Sequence, residues 1–83
     1  GIRINAVAPG LMRSPMTEKM LGNERSQQNI AAQYPLGNYG DAADGAAVAA
    51  WLLSPDARWI TGEVIHLDGG FSAVRPLVRS GNP

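Results

Sequence analysis

The chain contains no cysteine. Disulfides and thiolate metal sites are therefore excluded as supports for the fold, and the composition agrees with a reducing, cytoplasmic setting. Aromatic residues are scarce at 6%, and no charge sign is in excess, since seven Lys+Arg stand against seven Asp+Glu. The cations Arg3, Arg13, Lys19, Arg25, Arg58, Arg75 and Arg79 are scattered rather than striped, which leaves nothing to neutralise a run of phosphates and excludes nucleic acid as an expected partner. Long apolar runs are missing too. The longest uncharged one, 45–53, is far below the roughly 20 residues that span a bilayer, so no membrane partner is expected. With 83 residues, a free-standing domain buries only about 60–65% of the surface its unfolded chain exposes. The first residue is Gly1, and a strand-like segment follows at once, which reads as a segment cut from something longer.

What is present alternates between two periodicities. Over residues 1–10, Ile2, Ile4 and Ala6 alternate with Arg3, Asn5 and Val7, and Pro9-Gly10 ends the run; a strand and a sharp turn are predicted. Residues 11–34 have a looser pattern. Pro15 after Ser14 suits the first turn of a short helix capped by Ser14 and ending at Gly22, and Asn23 can cap a second short helix before Tyr34. After the loop Pro35 to Gly40 comes the clearest helix, predicted over 41–53, with Asp41 as N-cap, Asp44 near the positive end of the dipole and an apolar stripe at Val48, Trp51 and Leu52. Gly45 weakens that helix by about 1 kcal/mol relative to alanine, which implies a packing reason. A second strand is predicted over 63–67, closed by Asp68-Gly69-Gly70, and the tail 74–83 has no periodicity. Strand, crossover helix, strand is the order of two parallel neighbours, hence an α/β class.

Five pieces stand in order along the chain: Asn5-Ala6-Val7-Ala8-Pro9-Gly10, Ser14-Pro15-Met16, Pro35-Leu36-Gly37, Ile60-Thr61-Gly62 and Leu67-Asp68-Gly69-Gly70. Together they resemble the C-terminal third of the short-chain dehydrogenase/reductases. The resemblance implies the last two parallel strands and crossover helices of a doubly wound Rossmann-type sheet. It further implies a single domain that the chain completes from its C-terminal side, with NAD or NADP as cofactor and a small alcohol or ketone as substrate.

Carried over residue by residue, the resemblance places cofactor contacts at Pro9, Gly10, Met12 and Ser14. Pro fixes the backbone, and Gly lets a flat ring approach the main chain. For Ser14 a helix cap, and for Met12 a core contact, are equally compatible with the residue type. The substrate loop is expected over 11–34, with Met16, Met20 and Leu21 as substrate-binding residues, because unbranched Met side chains adapt to varied apolar shapes. His66 is read as a strand residue without a metal, and Trp51 and Trp59 as core or interface residues. Asn38, Ala42 and Gly45 depart from the family pattern of Arg, Pro and a larger aliphatic.

The family's catalytic Tyr-x-x-x-Lys pair has no counterpart, since Tyr34 is followed at the fourth position by Asn38 and Tyr39 by Ala43. The glycine-rich phosphate turn is missing as well. No catalytic residue is therefore assigned within the chain, and the upstream part of the same enzyme is the implied partner. The resemblance also implies a homodimer or homotetramer built on the thin helix and the last strand. The alternative reading is a truncated, non-catalytic assembly module that docks on intact partners.

Overall fold

A computed structural model describes residues 1–74. In chain order the elements are β1 (Ala6–Pro9), β2 (Met12–Arg13), α1 (Glu24–Ala31), β3 (Gly40–Asp41), α2 (Ala42–Leu52), a short 3-10 turn (Pro55–Ala57) and β4 (Val64–Leu67). Strands β1 and β4 pair in parallel, Ala6 opposite Val64 through Pro9 opposite Leu67. A crossover carrying both helices joins them, as strand-helix-strand order requires.

The first strand is shorter and later than the alternation predicts. Residues 1–5 run beside the chain ahead of β4 without forming a ladder: the Ile4 amide donates to the Thr61 hydroxyl at 3.1 Å, and Gly62 N–H to the Ile4 carbonyl at 2.8 Å. Pro9 belongs to the strand rather than ending it, because the ladder needs no N–H from residue 9 and resumes with Gly10 N–H on the Leu67 carbonyl at 2.9 Å.

The alternation divides two faces in an unusual sense. Arg3, Asn5 and Val7 are half-buried on the side of α2, whereas Ile2 and Ile4 remain 87% and 74% exposed. The polar members are satisfied there. Arg3 donates to the Leu52 and Ile60 carbonyls at 2.9 and 3.1 Å, and Asn5 bridges the Ile60 carbonyl and the Glu63 amide at 3.1 and 3.0 Å. Among the described residues nothing covers the opposite face, with Ile2, Ile4 and Val64, although parallel sheets are ordinarily covered on both faces.

Helix α2 occupies the predicted span, with Asp41 and Leu53 as its caps; the Asp41 amide donates to the Asp44 carboxylate at 2.8 Å. Its packing side runs through Gly45, Val48 and Leu52. Gly45 faces Met12, but a Cβ there would stand 3.4 Å from the Met12 methyl, an ordinary contact, so the expected packing reason for glycine is not found among the described residues. Trp51 is not part of that side. It is 45% exposed and Trp59 96% exposed, so neither belongs to a core among the described residues. The second short helix forms as α1, with the Asn23 side chain accepting the Ser26 N–H at 2.8 Å.

The helix expected after Ser14 does not form; residues 15–21 are successive turns. The Thr17 hydroxyl explains the difference, because it donates to the Met12 carbonyl at 2.7 Å and accepts the Ser14 amide at 3.0 Å. A short polar side chain that bonds nearby backbone offers the chain an alternative to the helical pattern. The pairing of β2 with β3, Met12 opposite Gly40 and Arg13 opposite Asp41, has no forerunner in the sequence pattern.

Only Leu21, Leu52 and Ala57 are buried hydrophobics among the described residues. The chain exposes 6372 Å², where a compact protein of its mass exposes about 4,800 Å². From residue 75 on, the tail lies outside the described residues.

Candidate functional site

Because Pro9 and Leu67 are level in the register, the segments that follow the two strands leave the sheet side by side. This is the carboxyl end of a parallel pair, the place where open α/β sheets take ligands. The first of these segments, Gly10 to Met12, is held by main-chain and side-chain hydrogen bonds, the Thr17 hydroxyl on the Met12 carbonyl among them. Gly10 N–H meets the Leu67 carbonyl at 2.9 Å, the Leu11 carbonyl accepts the Gly40 N–H at 3.0 Å, and the Leu11 amide donates to the Tyr34 hydroxyl at 2.8 Å.

Gly10 is not among the positive-φ glycines, so the backbone conformation does not require glycine. Space does: a Cβ at residue 10 would meet the Tyr34 ring at 2.9 Å and Asp68 at 3.1 Å. The Tyr34 ring is itself backed by Phe71, their centroids 5.2 Å apart.

The second segment turns through Gly69 and Gly70, both at positive φ, 57° and 90°. Asp68 organises it, its carboxylate accepting the Gly70 and Ser72 amides at 3.1 and 3.2 Å. These bonds, with the Ser72 hydroxyl first among them, hold the Asp68 carboxyl below its ordinary range. Between the two segments and α2 lies a cavity of about 450 Å³, bounded by Met12, Tyr34, Leu36, Val48, Leu67 and Asp68 among others.

The predicted residues divide into two groups. Pro9, Gly10, Met12 and Ser14 follow one another along the strand end and β2, with Pro9 exposed and the other three half-buried. The Ser14 hydroxyl has the Thr17 hydroxyl 3.4 Å away. Met16 and Met20 project outward on the following turns, 92% and 53% exposed, while Leu21 is 3% exposed and packs the loop. The neighbouring Arg13 donates to the Tyr39 hydroxyl at 2.6 Å, which, ahead of the other charges near it, raises its pKa above the ordinary value. His66 lies on the exposed side of β4, opposite Ala8.

Nothing in the sequence context of Tyr34 marks it for this role. The signal that points to it is Gly10, a glycine at a strand end where no positive φ calls for one.

The sequence pattern of a family described as enoyl-(acyl carrier protein) reductase matches residues 1–72. The chain belongs to the short-chain dehydrogenase/reductase family. Among curated members of that family, the 3-oxoacyl-[acyl-carrier-protein] reductase FabG of Rickettsia felis is 46% identical over 74 residues, 89% of this chain and 30% of the relative. Among solved structures, a 4-hydroxyisoleucine dehydrogenase mutant complexed with NADH and succinate superposes with a TM-score of 0.81 at 32% identity, covering 90% of this chain and 31% of that one. The Pseudomonas aeruginosa RhlG/NADP active-site complex gives a TM-score of 0.75 at 33% identity over 83% of this chain and 28% of that one. The chain thus spans under a third of the length of these short-chain dehydrogenase/reductases. Among the described residues, no helix is long and apolar enough to cross a membrane.

Proposed function

We propose that the chain forms the C-terminal part of an NAD(P)-dependent oxidoreductase that interconverts a secondary alcohol and a ketone in the cytoplasm, its sheet completed by the upstream part of the same enzyme. The observation that carries this reading is the level pair of strand ends, Pro9 opposite Leu67, with a segment lacking bulk at its first residue. The similarity to structures holding NADH and NADP supports the cofactor class. The bare face carrying Ile2, Ile4 and Val64 is what a doubly wound sheet presents to its remaining helices.

The residues present suit the nicotinamide end of the cofactor. Pro9 and Gly10 offer main chain without side-chain bulk, and the Ser14 hydroxyl is able both to donate to and accept from a carboxamide or phosphate. The bound cofactor supplies or takes up the hydride. This chain's residues hold and orient the ring, while Met16 and Met20, with Leu21 anchoring the turns behind them, offer an adaptable apolar surface to the substrate. The Tyr-x-x-x-Lys pair that moves the hydroxyl proton in the family belongs to the upstream part. The exposed Trp51 and Leu53 at the end of α2, and β4, supply the surface of a homodimer or homotetramer.

Turnover measurements test the reading. The isolated 83-residue chain is expected to oxidise no secondary alcohol with either cofactor, whereas an enzyme carrying it behind a Tyr-x-x-x-Lys segment is expected to do so. Turnover by the rigorously purified chain alone overturns the division of labour.

A further inference from the structure

The segment after β1 is fixed by main-chain bonds at Gly10 and Leu11 and by two side chains, Thr17 at the Met12 carbonyl and Tyr34 at the Leu11 amide, and of these two only Tyr34 also stands beside Gly10. Tyr34 therefore does two things at once: its hydroxyl accepts the Leu11 amide at 2.8 Å, and its ring closes on the side of Gly10 where a Cβ would stand, 2.9 Å from that position. Tyr34 is the last residue of the expected substrate loop, its own amide bonded to the Ala31 carbonyl at 3.1 Å at the end of α1. The residue thus ties the loop that meets substrate to the main chain that meets cofactor.

We infer that Tyr34 is a positioning residue for the nicotinamide end of the cofactor, acting through the Gly10–Met12 main chain and touching neither reactant. The inference rests on the proposed placement of the nicotinamide at Pro9 to Met12. An amide left without its partner in a half-buried turn prefers to rotate toward water, and the cradle it belongs to loses its set geometry.

The test compares two ligands on the complete enzyme, NAD(P)+ and ADP-ribose (with its 2′-phosphate for an NADP enzyme), which lacks the nicotinamide ring. Tyr34→Phe keeps the ring and removes only the hydroxyl. It is expected to weaken NAD(P)+ about tenfold and to leave ADP-ribose within about twofold, with kcat at saturating cofactor reduced less than kcat/KM. Equal weakening of both ligands, or of neither, overturns the inference. Gly10→Ala separates this result from failure of the underlying placement. If Gly10→Ala discriminates between the ligands and Tyr34→Phe does not, the role of Tyr34 is refuted while the placement stands; if neither variant discriminates, the placement falls and the inference falls with it. Tyr34→Leu, which also opens space beside Gly10, provides the second variant, and its discrimination is expected to equal or exceed that of Tyr34→Phe.

Discussion

The guanidinium of Arg3 donates to the carbonyl of Leu52 at 2.9 Å across 49 positions of sequence. The carbonyls in the last turn of a helix have no partner inside the helix, so a cation from the start of the chain completes the end of α2. The same group also holds the Ile60 carbonyl at 3.1 Å, joining the helix end to the approach to β4. Arg3→Met removes both bonds and is expected to lower the unfolding free energy of the protein by about 2 kcal/mol. Urea titration checks the value, and Arg3→Lys is expected to recover part of the loss.

The cap at Asn23 is a local device. Its side chain takes the Ser26 amide at 2.8 Å, so Asn23→Ala is expected to cost about 1 kcal/mol. Hydrogen exchange is the suitable measurement: protection should fall at Ser26 and Gln27 and hold steady in β1 and β4.

Two glycines at positive φ allow strain and crowding to be separated. Gly37 has φ 77° with nothing near a would-be Cβ, whereas Gly70 has φ 90° and Pro35 atoms at 3.2 Å. Gly37→Ala should cost about 1 kcal/mol for the left-handed backbone alone. Gly70→Ala should cost about 1–2 kcal/mol more, because Pro35 must also give way. Thermal unfolding of the two variants side by side measures the difference.

Asp68 sets an acid limb. Its carboxyl is held below the ordinary range by Ser72 and the Gly70 amide, so the folded state binds that proton less readily than the unfolded chain. Its contribution is then complete above the unfolded pKa, near pH 4, and is lost as pH falls through the folded value. Melting temperature recorded between about pH 2 and pH 6 should decline toward acid in the parent protein, and less steeply in Asp68→Asn.

The class of the fold was legible because each element is marked by local chemistry: Asp41 and Asp44 at the start of α2, Asn23 before α1, and paired glycines after β4. What could not be read depends on which hydrogen-bond partner wins, whether it is near in sequence or far. Thr17 displaces the helix after Ser14 by bonding Met12, the β2–β3 pair depends on Gly40 coming to lie beside Leu11, and the inward turn of Arg3 and Asn5 depends on carbonyls more than 45 positions away. The same holds for the site. Pro9-Gly10 announces the turn, but the hydroxyl that fixes it belongs to Tyr34, placed there by the fold rather than by spacing.

Proline at position 9 has a consequence for the sheet beyond this pair. The amides of Ala6 and Gly10 point to β4, so by the alternation of a strand those of Val7 and residue 9 point to the other edge, where Pro9 has none to give. A neighbouring strand on that side can draw a donor from Val7 and then finds no rung at the next place. The ladder on that edge therefore loses its last donor just beside the turn, at the level where the cofactor is proposed to lie, through the omission of one N–H rather than through any side chain.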